Sequence, residues 1–111
     1  MKKLMLALTL MSFGLAAQAA TWNSAPLIDK SCSRKAAANP DAHTKDCAMQ
    51  CAGSGFGILT EKGDFLKFDK AGDQQALKLL KSTDKKDHLR VNVDGDEKDG
   101  VIAVKSVKMV E

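Results

Sequence analysis

The chain has 111 residues, with 17 Lys+Arg against 14 Asp+Glu, three cysteines, two histidines and no tyrosine. That length allows one small domain, and the net charge of +3, two units of which sit on Lys2 and Lys3, leaves no basic surface for nucleic acid or anionic lipid. Aromatic residues make up 5% of the chain, too few for the stacking platforms of a single-strand binder.

The chain opens with "MKK", an apolar run "LMLALTLMSFGLAA" and then Ala17-Gln18-Ala19. This is the pattern of a bacterial export signal with a small-x-small cleavage site. Residues 1–19 are therefore expected to be removed as a signal peptide. Residues 20–111 remain as a single small OB-like domain, periplasmic or secreted, with no stable membrane span. No lipobox cysteine stands at the cleavage point. A domain of about ninety residues buries a limited core, so a covalent or metal staple would help it.

The first strand is expected around residues 26–32, with Pro26 near its start. One helical turn is possible at residues 34–38, and Pro40 ends any helix there. Thr44 is a good N-cap for "KDCAMQCA" and Gly53 a good stop. A hairpin follows, with strands at 56–61 and 64–69 around Lys62-Gly63. "AGDQQALKLLKSTDKK" reads as a helix capped by Asp73, with Ala76, Leu77 and Leu80 forming its apolar stripe. In "HLRVNVDG", Leu89, Val91 and Val93 alternate inward. "DGDEKDG" is a polar turn rather than a calcium loop, since its acidic residues fail the EF-hand spacing. The blurred alternation of "VIAVKSVKMV" predicts either burial on both faces or a bulge. The order β-α-β-β-α-β-β is mainly β with two helices. It is that of an OB-like five-stranded barrel, the alternative being an open α+β sheet.

"LIDKSC", then "HTKDCAMQC", then "LRVNVDGDEKDGVIAVKSVKMV" resembles a group of small exported bacterial proteins of unknown function. These carry a D-S-x-C stretch, an H-T-x-x-C-x-x-x-C stretch and an OB-like C-terminal strand pair. The matching positions are Asp29, Cys32, His43, Thr44, Cys47 and Cys51. Here the first stretch reads Asp-Lys-Ser-Cys, and the helix "QQALKLLKS" is an insertion. The resemblance implies export and a small β-rich fold, and no particular chemistry.

Cys32, Cys47 and Cys51 are the disulfide candidates in an oxidising compartment. A bridge from Cys32 to Cys47 or Cys51 would close a loop of roughly 15–20 residues and contribute about 3 kcal/mol. A Cys47–Cys51 bridge inside the helix would distort it. The second reading takes Cys32, His43, Cys47 and Cys51 as a soft set for zinc or copper, although C-x14-C-x3-C is no zinc-knuckle spacing. Cys47 and Cys51, four apart, would share a helix face. The third reading is a thiol–disulfide role for Cys47 in the first helical turn. His43 alone is more often a loop residue than a ligand, and His88 has no assigned role.

No nucleophile–base–orienter set or phosphate loop is visible, so no enzyme activity and no catalytic residues are expected. The leading expectation is a non-enzymatic periplasmic or secreted binding or interaction module, stabilised by a disulfide and holding no cofactor. Its partner would be an envelope protein or a small polar ligand. The alternatives are an envelope copper- or zinc-binding protein and a thiol–disulfide active protein.

Overall fold

A computed structural model describes residues 18–110. Five strands form a closed barrel: β1 (Gln18–Asp29), β2 (Phe56–Leu59), β3 (Phe65–Phe68), β4 (Arg90–Lys98) and β5 (Val101–Met109), in the spatial order β1-β2-β3-β5-β4. All neighbours are antiparallel except β3 and β5, which pair in parallel through Lys67↔Val101 and Phe68↔Ile102. That pairing closes the sheet, so the architecture is the OB-like barrel and the open-sheet alternative does not hold. The helices are α1 (Ser33–Ala36), α2 (Lys45–Gln50) and α3 (Lys70–Ser82). Short 3-10 turns at Lys30–Cys32, Pro40–Ala42 and Ala52–Ser54 break up the β1–β2 connection.

β1 is longer than expected and ends sooner, at Asp29. It serves two partners: its first part pairs with β4 as far as Pro26↔Arg90, and Leu27, Ile28 and Asp29 pair with β2. A bulge between Trp22 and Ala25 precedes the hand-over, and there Ser24 adopts φ 53°. Two side chains of β4 hold that conformation: Ser24 N–H donates to Asn92 Oδ1 at 2.8 Å, and Arg90 Nη1 donates to the Ser24 carbonyl at 2.7 Å. The residues "TWNS", which read as turn formers, are thus part of a strand that bends. Residues 18–20 begin β1 opposite Gly95, Asp96 and Glu97 of β4; the rest of the expected signal peptide lies outside the described residues.

The core follows the strand alternation. Leu27, Ile58, Phe68, Leu89, Val91, Val93 and Ile102 are almost fully buried inside the barrel. Along β5 the buried positions run Ile102, Val104 and then Val107. The register shifts between Asp94 and Gly95 on β4, so that Ser106 and Val104 are their successive partners. The expected bulge is therefore present, and it is what blurs the alternation. α3 closes one end of the barrel with Gly72, Ala76 and Leu80. Its N-cap is Asp69 rather than Asp73, with Asp69 Oδ1 accepting from Gly72 N–H at 3.0 Å and from Val104 N–H at 3.2 Å. Asp73 instead ties the helix to β2 by accepting from Phe56 N–H at 2.8 Å.

The β1–β2 connection wraps the barrel's flank. Ile28 points away from the barrel interior and is covered by Ala36, with Leu59 and Phe65 alongside. Asp29, the next residue, returns to the face of Leu27, against the start of the connection. Among the described residues no helix is long and apolar enough to cross a membrane.

Candidate metal centre

Asp29 is the single buried charged residue among those described, with no exposed surface. Its position is fixed from both ends of the carboxylate. As N-cap of the turn after β1 it accepts Cys32 N–H on Oδ2 at 3.0 Å, and His43 Nε2–H donates to Oδ1 at 2.6 Å. The first bond is local geometry, a carboxylate bonding the N–H three residues on. The second is a long-range contact set by the 3-10 turn at Pro40–Ala42, whose C-cap is His43.

Cys51 reaches the same point from the end of α2. The helix starts as the sequence predicts, with Thr44 Oγ1 accepting from Cys47 N–H at 3.1 Å. It stops at Gln50, and Cys51 is its C-cap at φ −105°, ψ 20°. Gly53 is not the stop; it lies within the following 3-10 turn. Cys51 N–H still bonds the Cys47 carbonyl at 3.2 Å, one helical turn on as expected, but Cys47 is exposed and stands outside the cluster that Cys51 joins. Two hydrogen bonds clamp the chain on either side of the cluster: Lys30 N–H to the Gly55 carbonyl at 2.9 Å, and Ser31 N–H to Ser54 Oγ at 3.1 Å.

The result is a group of three donors. One ligand atom each from Asp29, Cys32 and Cys51 lies within 4.8 Å of the others. The Cys32 thiol has its pKa raised to about 11, first by loss of hydration and then by the Asp29 carboxylate and Cys51 beside it. A site of this kind resists gathering negative charge on its own. Among the described residues the one ionisable group within ion-pair distance of Asp29 is His43.

The disulfide-stabilised binding module is corrected on this point. Cys32, Cys47 and Cys51 are all free thiols, and Cys32 and Cys51 stand as neighbouring donors beside a carboxylate rather than at bonding distance. The soft-ligand set expected from the sequence is also altered. Cys47 is exposed and outside the cluster, and His43 bonds the carboxylate. Asp29, one of the positions that carry the resemblance, lies at the centre of the site. The signal for it was the Asp-x-x-Cys spacing, which lets a carboxylate cap the turn that carries a cysteine.

His88, given no role, adopts φ 51° just before β4 and pairs in solvent with Asp87. A groove of about 900 Å³ runs between the β1 bulge and the β2–β3 turn, lined by Trp22, Ser24, Pro40, Thr60 and Arg90 among others. None of Asp29, Cys32 and Cys51 lines it. No protein-family model, no curated protein and no solved structure matches the chain.

Proposed function

We propose that this is an exported metal-binding protein that holds one zinc-class ion through the Cys32 and Cys51 thiolates and the Asp29 carboxylate. The observation that carries the reading is a wholly buried carboxylate next to two thiols, without a Lys or Arg partner among the described residues. A buried anion is costly unless a cation meets it; the imidazole of His43 is its one ionisable partner among the described residues, and two sulfurs and an oxygen are a donor set that would hold a metal cation there. The fit is reasonable in size. Zn–S bonds of about 2.3 Å in a tetrahedron put the sulfurs about 3.8 Å apart, and the donors are within 4.8 Å before any ion draws them in. The carboxylate argues for zinc over copper(I), which prefers sulfur alone. His43 acts on Asp29, orienting the carboxylate as outer partners of metal ligands do. Cys32 must give up its proton for binding, which the positive charge of the ion brings about. The leader pattern of residues 1–19 supports export.

The test is native mass spectrometry and elemental analysis of protein purified under reducing conditions without chelator. One zinc per chain is expected, lost in Cys32→Ser and Cys51→Ser and kept in Cys47→Ser. His43→Ala should weaken binding about 10–100-fold without abolishing it. Reduced, folded protein that takes up no zinc would overturn the reading, as would loss of zinc in Cys47→Ser.

A further inference from the structure

We infer that the metal site is gated by thiol oxidation: a reversible Cys32–Cys51 bond and a bound ion exclude one another. The inference rests on the metal reading above and adds its regulation. The two thiols belong to one cluster with its ligand atoms within 4.8 Å of each other, and both are partly exposed, so a small oxidant can reach them. The chain beside each is held by the Lys30–Gly55 and Ser31–Ser54 hydrogen bonds. The sulfurs therefore remain neighbours when no ion draws them together. Closing them to about 2.05 Å uses up both thiolates that the ion requires. Cys47 stands exposed and apart from the cluster, so it does not compete for the intramolecular bond.

The co-reactant is a small disulfide of the glutathione class. One cysteine thiolate attacks a sulfur of the oxidant, forming a mixed disulfide and expelling the first thiolate. The second cysteine attacks the protein sulfur of that mixed disulfide, closing Cys32–Cys51 and expelling the second thiolate. Two electrons pass from the cysteine pair to the oxidant, which leaves as two thiols after taking up two protons. The ion, deprived of both sulfur ligands, departs with its charge. Asp29 alone cannot retain it, because a single carboxylate is a weak and hard site for zinc.

Zinc-loaded Cys47→Ser protein, titrated with oxidised glutathione, tests this with two independent readouts. A chromophoric chelator follows zinc release, and intact mass with peptide mapping follows the bond. The expected result is one zinc released for each chain that loses about 2 Da through a Cys32–Cys51 link, with both changes reversed by a dithiol. Zinc that stays bound while the bond closes overturns the gating and leaves the metal reading standing. Zinc release in chains that gain glutathione without closing the bond overturns it too. Reduced protein that never takes up zinc overturns the metal reading, and the gating with it.

Discussion

Charged side chains at two places in this domain bear on its stability, and they differ in what surrounds them. Asp29 is buried and held by one backbone N–H and one imidazole. Asp41 lies at the surface, about a third exposed, with Arg90 Nε on its Oδ1 at 2.9 Å and Nη2 on its Oδ2 at 3.1 Å. That two-pronged bond holds the Asp41 carboxyl below its ordinary value of 3.8. Its stabilising contribution is therefore full above about pH 5, where the unfolded carboxylate is also ionised. It fades as pH falls through the lowered folded value. Exposure limits the pair to about 0.5–1 kcal/mol. Urea unfolding of the parent and of Asp41→Asn should differ by that amount near neutral pH. The difference should shrink towards zero by about pH 2; a gap that persisted in acid would show that the bond acts through packing rather than charge.

At the scale of elements, much of the chain could be read in advance and the failures have physical causes. The sequence holds Asp-Gly twice, at 94–95 and at 99–100. The second pair forms the β4–β5 turn, with Asp99 at φ 53° and Gly100 at φ 83° between the paired residues Lys98 and Val101, as a two-residue hairpin turn requires. The first pair sits inside β4 at the bulge. Composition cannot distinguish the two, because what separates them is the partner strand. Asp69 and Asp73 posed the same problem for α3. Both suit an N-cap, and the choice falls to the one that can also bond Val104 on β5. The hairpin glycine at 57 shows the same dependence on tertiary contact. A Cβ there would lie 2.2 Å from the Leu66 carbonyl oxygen and 2.7 Å from the Phe65 ring, so β2 and β3 pack closely only around a glycine. Gly57→Ala is expected to cost about 1–3 kcal/mol, read as a drop in the urea midpoint. Gly53→Ala, where a Cβ meets nothing within 4 Å, serves as the control and should leave it nearly unchanged.

For the molecule as a whole, the barrel was legible and the site only in part, and both follow from sequence distance. Barrel strands announce themselves by local alternation, as Leu89, Val91 and Val93 do. The site joins the end of β1, the turn before His43 and the end of α2, which no local pattern connects. The cysteines stand out by residue type alone, whereas the burial of Asp29 beside two of them is set by tertiary contacts. The same construction predicts how the domain responds to metal. An ion bound by Asp29, Cys32 and Cys51 would bridge the end of β1 to the far end of the β1–β2 connection, so it favours the folded chain, in which the three donors are held together. Zinc at a hundred times its dissociation constant then adds about 2.7 kcal/mol. In a domain of this size each kcal/mol raises the melting temperature by roughly 4–8 °C, giving a rise of roughly 10–20 °C for the reduced protein. Magnesium, which favours octahedral oxygen sites, should produce no such rise. Cys51→Ser removes one thiolate without touching the barrel core and should abolish the zinc response while the metal-free melt stays near that of the parent. Thermal melts with zinc, with magnesium and with chelator, run under reductant, read all of this directly. An equal rise in Cys51→Ser would place the ion elsewhere on the domain.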